Sequence, residues 1–348
     1  MKHVIVLIIG ILFLGSSVYS QDPQFSHFYA IPLQMGPAFA GSTGGTRVAI
    51  NARDQWTAIN QEYMTFSVMA DHYFFGTRSG AGIVLYRDQA GAGKLATSIA
   101  NLQYAYSVNI TEEIALRAGL QMGLSHRAID YSRLVFGDQL RFEDNVSVTS
   151  ENSLYDSKTY LDFGTSFMGV ISNFWVGATF DHIVQPNQSL MGHKSVVPMK
   201  LSLYSGGRFT YRTSQKRGRK MESIYLMLHY NEQLNFKQAL LGAYWETNLS
   251  ILGMWYRGIP FVKAYESYMN TDALIFMLGF RKGMFTFLYS YDFTLSKLVA
   301  NTAGSHEITL TWNWHNTNAE KKARKRMNMV PCPMSDSPKT KYYKQKSF

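Results

Sequence analysis

Residues 284–293 read Met-Phe-Thr-Phe-Leu-Tyr-Ser-Tyr-Asp-Phe. Phe285, Phe287, Tyr289, Tyr291 and Phe293 fall at every second position, and Thr286, Ser290 and Asp292 lie between them with Met284 and Leu288. A repeat of two is that of an extended strand, whose side chains alternate between two faces; a helix needs a repeat near 3.6. The stretch is therefore read as a strand with an aromatic face and a mostly polar face.

The same alternation recurs along the chain. Ile308, Leu310, Trp312 and Trp314 alternate with Glu307, Thr309, Thr311 and Asn313. Ile114, Leu116, Ala118, Leu120, Met122 and Leu124 oppose Arg117, Gly119, Gln121 and Gly123, while Leu201, Leu203, Phe209 and Tyr211 oppose Lys200, Ser202 and Arg208. Fourteen strands are predicted, near 45–53, 63–74, 80–87, 96–107, 113–126, 159–171, 173–182, 199–212, 222–230, 235–246, 248–257, 271–281, 284–293 and 305–314.

The spacing between these strands is informative. Gaps after even strands are short (75–79, 108–112, 172, 247 and 282–283), except 213–221. Gaps after odd strands are longer (54–62, 88–95, 127–158, 183–198, 258–270 and 294–304), except 231–234. Short periplasmic turns alternating with long outer loops are the layout of an outer-membrane antiparallel β-barrel with both termini in the periplasm. A soluble sandwich has no reason to alternate loop length in this way. In a membrane barrel the apolar faces meet lipid and small polar residues line the lumen. Gly119, Gly123 and Gly206 beside Arg208 suit a lumen wall. Tyr104, Tyr106, Phe174, Trp175, Trp245, Trp255, Tyr256, Trp312 and Trp314 sit near strand ends, where amphipathic rings favour the headgroup level.

The ends of the chain agree with export. Lys2 and His3 precede an apolar run of 11 residues, Val4 to Leu14, and Val18 and Ser20 occupy the −3 and −1 positions of a cut before Gln21. That pattern predicts a cleaved signal peptide over residues 1–20; the run falls short of the roughly 20 residues a spanning helix needs. The single cysteine, Cys332, allows no internal disulfide. The net charge of +10 is concentrated in the tail 315–348, where nine Lys/Arg, including Lys321, Lys322 and Arg324, face only Glu320 and Asp336. A second basic cluster, Lys216, Arg217, Arg219 and Lys220, falls in a periplasmic turn. Nucleic acid is excluded as a partner by compartment; an acidic protein, peptidoglycan or anionic lipid fits such patches.

Between leader and barrel lies residues 21–44, beginning Gln21-Asp22-Pro23-Gln24-Phe25-Ser26-His27-Phe28-Tyr29. Pro23, Pro32 and Pro37 each remove a backbone donor and fix φ, so neither strand nor regular helix is expected. Its aromatics distinguish it from a solvated linker. The segment is expected in the periplasm, packed on the barrel's mouth or on another protein, ahead of the barrel at 45–314 and the basic periplasmic tail at 315–348.

Residues 21–41, with Pro37 and Gly41 near the end, closely resemble the mature N-terminus of the PorP/SprF family, outer-membrane proteins of the type IX secretion system of Bacteroidota. The resemblance continues in order along the chain. Arg53-Asp54-Gln55-Trp56 is similar to that family's R-x-Q-W, Phe136-Gly137-Asp138-Gln139 to F-G-D-Q, and Asp162-Phe163-Gly164 to D-F-G. Gln185-Pro186-Asn187 resembles Q-P-N, and Trp255-Tyr256-Arg257-Gly258 resembles W-Y-R-G. Tyr289-Ser290-Tyr291-Asp292 and Gly304-Ser305-His306-Glu307 resemble the closing Y-S-Y-D and G-S-H-E. The chain departs at Ile31-Pro32-Leu33 and Gly36-Pro37-Ala38, where the family usually has Asn before each proline. The resemblance implies a non-enzymatic component that scaffolds or docks the periplasmic secretion machinery. Its partners would be a periplasmic ring lipoprotein and associated secretion proteins, with outer-membrane lipid around the barrel. Other members help secrete and attach particular cargo, including gliding adhesins, and that role is the nearest alternative. A porin or small-molecule channel is a further alternative, since fourteen strands can enclose a lumen, one that the N-terminal segment or loop 127–158 could plug.

No catalytic or cofactor signature competes with these readings. His306 and Glu307 are adjacent on a strand, so they point to opposite faces and cannot chelate one ion. No G-x-S-x-G occurs, and the remaining histidines lack metal-ligand spacing.

Overall fold

The structure is a computed structural model that describes residues 22–59, 63–111, 113–140, 156–213, 221–265, 268–295 and 303–314. Fourteen strands form one closed barrel: β1 (Thr46–Gln55), β2 (Tyr63–Phe74), β3 (Ser79–Ala90), β4 (Leu95–Asn109), β5 (Ile114–Ala128), β6 (Ser157–Ile171), β7 (Phe174–Asp181), β8 (Lys200–Thr213), β9 (Met221–Gln233), β10 (Phe236–Glu246), β11 (Ser250–Tyr265), β12 (Tyr268–Lys282), β13 (Phe285–Thr294) and β14 (Ser305–Trp314). Every strand pairs antiparallel with its sequence neighbours, and β1 closes on β14 from Thr46↔Trp314 to Gln55↔Ser305. Closure leaves no sheet edge, which is what allows strands to cross hydrocarbon. Among the described residues no helix is long and apolar enough to cross a membrane.

The faces are sorted as a membrane barrel requires. In β13, Phe285 and Phe293 are exposed outward, while Ser290 and Asp292 are buried on the lumen side. In β5, Leu116, Leu120 and Leu124 point out and Arg117 is buried inside. Water would penalise such an apolar exterior; lipid does not.

Two expectations change. Trp175 and Trp255 were placed at the headgroup level with the other strand-end aromatics, but both are buried in the lumen, on the inward parity of β7 and β11. Residues 258–270, expected as one of the long outer loops, belong mostly to β11 and β12. The two strands stay paired there, with register shifts after Arg257, Ile259 and Lys263. Gly258 adopts φ +141°, open to glycine, so the pairing slips there without ending. Elsewhere the strand ends moved by a few residues. The connections still differ between the two ends, with 129–156 and 182–199 the longest, both at the end opposite the short turns at 75–78, 172–173 and 247–249.

The largest correction concerns the segment ahead of β1. It does not lie beyond a mouth of the barrel. Residues 22–45 run inside the lumen, from Asp22 at the long-connection end to Gly45 at the short-turn end. Ser26 through Leu33 and Met35 through Gly45 are almost wholly buried. The inward polar faces of the strands meet this segment, which includes two single-turn 3-10 helices, Pro32–Gln34 and Pro37–Phe39.

Candidate functional site

The segment is held by contacts that change character along its length. At the long-connection end Asp22 accepts a hydrogen bond from Lys200 Nζ at 2.9 Å and faces His182 Nε2 at 3.0 Å. His182 Nδ1 in turn lies 2.5 Å from Asp162 Oδ2. Burial opposes the charge on His182, but the Asp22 and Asp162 carboxylates outweigh it and raise the imidazole to about 10. Burial likewise opposes ionisation of Asp22, and Lys200 and His182 overcome it, holding its carboxyl well below the usual range.

Four residues further on, Ser26 is the hub of a buried network. Its hydroxyl donates to Asp292 Oδ2 at 2.7 Å and accepts from Arg53 Nη1 at 2.8 Å and Arg257 Nη2 at 2.6 Å. Its backbone N–H donates to Glu307 Oε2 at 2.7 Å, and the His27 N–H to Glu307 Oε1 at 3.1 Å. Arg53 bridges both carboxylates, at 2.8 Å to Asp292 and 3.0 Å to Glu307. Asn51 Nδ2 completes the shell of Glu307 at 2.8 Å. Two guanidinium groups therefore balance two carboxylates, the condition for keeping such charges out of water.

Next come the aromatics. Tyr29 stacks on Tyr244 at 5.1 Å and on Trp255 at 5.3 Å, and Tyr244 continues the stack to Tyr225 at 4.4 Å. Phe28 meets Trp255 edge-on at 5.1 Å and tilts over His229 at 5.1 Å. Burying rings of this size stabilises by about 2–3 kcal/mol each, with about 0.5–1.5 kcal/mol more per well-placed aromatic pair.

Beyond Ile31 the wall touches backbone. Gln103 Nε2 donates to Leu33 O at 2.9 Å, Thr179 Oγ1 to Met35 O at 2.7 Å, and Arg117 to Ala38 O and Ala40 O at 2.8 and 2.5 Å. The Ala38 N–H donates to Ser166 Oγ at 2.6 Å and the Gly41 N–H to Asp71 Oδ2 at 2.8 Å. Such close approach needs bare wall. A Cβ on Gly80 would lie 2.0 Å from Ala40 O, and one on Gly119 2.4 Å from Ala38 N. Gly36 adopts φ +146° beside Thr179 Oγ1, so a side chain there would be both strained and blocked.

The residues singled out by sequence sort clearly. Asp22, Pro23, Phe25, Phe28, Tyr29, Pro37, Gly41 and Arg53 all belong to this lumen assembly. Gln55 ends β1, paired with Tyr63 and Ser305, and Trp56 follows at φ +61°, its N–H donating to Gly304 O at 2.9 Å. The Trp56 ring packs edge-on against Tyr63 at 5.0 Å. Gln21, Lys216, Arg217, Arg219, Lys220, Lys321, Lys322 and Arg324 lie outside the described residues, as do residues 1–20, the tail 315–348 and Cys332. Sequence reading missed Ser26, His182, Lys200 and Tyr244. It treated Asp162, Arg257, Asp292 and Glu307 as fragments of separate motifs. For Asp162, Lys200, Tyr244, Arg257, Asp292 and Glu307 the signal was available in parity, since each has the inward register of its strand; Ser26 and His182 lie on no strand and carry no such signal. His306 takes the opposite face from Glu307, with its Nδ1 2.8 Å from the Tyr289 hydroxyl.

Comparison with known proteins gives one sequence match and several distant shapes. No curated protein sequence matches the chain. Among solved structures it is similar to the toluene transporter TbuX of Ralstonia pickettii, at 11% identity and TM-score 0.44, covering 82% of this chain and 94% of that one. It is also similar to the toluene transporter TodX of P. putida, at 11% identity and TM-score 0.40 over 80% and 92% of the two chains. The KdgM porin gives 6% identity and TM-score 0.36 over 77% and 99%. The sequence pattern of the family described as "Type IX secretion system membrane protein PorP/SprF" matches residues 17–312. It spans the lumen segment and nearly the whole barrel, so the chain belongs to the PorP/SprF family of type IX secretion system membrane proteins.

Proposed function

We propose that this protein is a non-enzymatic scaffold of the type IX secretion apparatus in the outer membrane, and not a conduit. The observation that carries the reading is the lumen segment. A barrel whose interior is occupied from Asp22 to Gly45, with a charge-balanced network at one end and backbone-tight packing at the other, is built to be a fixed body. What it offers is its position in the membrane and the surfaces at its two ends. The long connections face outside and the short turns face the periplasm, following the usual layout of such barrels. Docking to the periplasmic ring lipoprotein is assigned to the basic turn at 216–220 and the basic tail, whose charge suits an acidic partner.

Deleting residues 315–348 and purifying envelope complexes tests this assignment. The ring lipoprotein is expected to be lost from the purified complex while the barrel remains in the outer membrane. Unchanged co-purification from a correctly inserted barrel would refute the docking role.

A further inference from the structure

The lipid-facing surface of the barrel is not evenly filled. The strand registers set Val176, Ser205 and Leu228 side by side, and in the next outward row Phe174, Gly207 and Leu226. On β7 and β9 these positions carry large, exposed apolar side chains. On β8, between them, stand a small hydroxyl and a glycine. The result is a trough of about 400 Å³ along β8, with ridges on β7 and β9. Gly169 widens it beyond Val176, and Leu241 extends the opposite ridge. Phe174 and Phe209 close one end: their rings meet edge-on at 5.5 Å and lie against Gly207. The floor is solid, because the Trp175 ring packs on Gly206 from the lumen side; a Cβ on Gly206 would lie 2.2 Å from it.

The occupant follows from where the trough lies and how wide it is. Leu203 and Phe167 beside it belong to the exposed apolar belt of the barrel, so the trough is continuous with the surface that meets lipid. Apart from the Ser205 hydroxyl and the Trp175 indole, its lining is hydrocarbon and backbone. In a bilayer, covering such a surface brings no hydrophobic gain, because lipid tails are as apolar as leucine. Contact decides instead: an empty trough forfeits dispersion attraction on three sides, and a chain lying in it recovers that attraction. The ridges on β7 and β9 stand two strand spacings apart, roughly 9–10 Å, which admits one methylene chain between their side chains but not an α-helix about 10–12 Å wide. The trough adjoins the 172–173 turn, at the short-turn end of the barrel.

We propose that this trough holds one acyl chain of a phospholipid from the periplasmic leaflet. Its place at the short-turn end selects that leaflet, which is phospholipid, over the outer one, which is lipopolysaccharide. The inference rests on the orientation of the barrel given above and not on its docking role, so intact or failed docking leaves it untouched.

Photo-crosslinking tests it. Full-length protein is reconstituted in vesicles of phosphatidylethanolamine, a fraction of which carries a diazirine on one acyl chain. After irradiation the labelled residues are located by mass spectrometry. Labelling is expected to concentrate on residues 205–209 and 226–228, well above that on Leu310 and Phe287, which face lipid on β14 and β13. Gly169→Leu combined with Ser205→Leu fills the trough; a Cβ on Gly169 meets no atom closer than 3.7 Å, so volume is added there without a clash. Losing on the order of ten dispersion contacts should lower trough labelling about tenfold. Labelling of Leu310 and the heat-modifiable gel mobility should stay unchanged. If the double variant fails to close, Gly169→Leu alone must shift labelling in the same direction. Native mass spectrometry of the protein extracted from outer membranes reads the source, and a retained phospholipid is expected. Retained lipopolysaccharide, even labelling around the belt, or labelling that survives the filled trough would overturn the proposal.

Discussion

The two halves of the lumen segment are held in different ways. Residues 22–31 are fastened by side chains: Asp22 to His182 and Lys200, Ser26 and His27 to Arg53, Arg257, Asp292 and Glu307, and Tyr29 between two rings. Residues 32–45 are fastened by shape, with their backbone pressed on Gly80 and Gly119 and their carbonyls capped by Gln103, Thr179 and Arg117. The first kind of hold responds to charge and pH. The second responds to volume. One barrel can thus carry a chemically sensitive lock at its long-connection end and a rigid seat at its short-turn end.

The strongest way to break this contrast is Arg53→Leu. It leaves Asp292 and Glu307 with one guanidinium fewer in a buried site, and loss of one partner in such a network costs about 3–5 kcal/mol. Hydrogen exchange should rise sharply in residues 22–31 and little in 36–45; equal loosening of both halves would show that they are a single unit. Gly119→Ala tests the other half. Its Cβ would meet the Ala38 and Pro37 backbone at 2.4 Å, and backbone cannot swing aside. A destabilisation of about 3 kcal/mol in urea unfolding is expected, with exchange now fastest around Ala38. A smaller effect is expected from Tyr29→Leu, which keeps an apolar side chain but loses two stacked pairs. A loss of about 1–3 kcal/mol follows, and an undiminished unfolding midpoint would remove the stack from the account.

The mildest perturbation is pH, and it reaches only the first few residues. His182 is raised from 6.5 to about 10 in the folded state, so its contribution is complete below about pH 6.5 and fades as pH rises towards 10. Asp22 is lowered from 3.8, so its contribution is complete above about pH 4 and fades as pH falls further. The protection factor of amides near Asp22, from which the intrinsic base catalysis of exchange is removed, should therefore be highest between about pH 4 and 6.5. It should fall on alkalinisation while that of residues 36–45 stays high. A flat profile up to pH 10 would contradict the His182 anchor.

Much of the barrel was legible in sequence because its signal is local. A residue's face follows from its parity, so the aromatic exterior of β13 and the polar interior of β14 could be read directly. The lumen segment was harder to place. Its prolines suppress any period, and nothing in residues 22–45 says whether their partners lie inside the barrel or beyond it. The partners themselves are dispersed: Arg53, Arg257, Asp292 and Glu307 sit on four strands. They meet only because the chain closes β1 on β14 and tilts each register to one level. Register across a closed barrel is a long-range property. That is why fragments such as R-x-Q-W and G-S-H-E were visible as motifs and yet not as a single site.

The central claim is that the lumen is shut by the chain's own N-terminal segment. Conductance of the purified protein in planar bilayers tests it most directly, comparing the intact chain with a variant lacking residues 22–31. The account predicts silence from the intact protein and stable open-channel steps from the variant. Stable steps from the intact protein, at neutral pH and without additions, would contradict it.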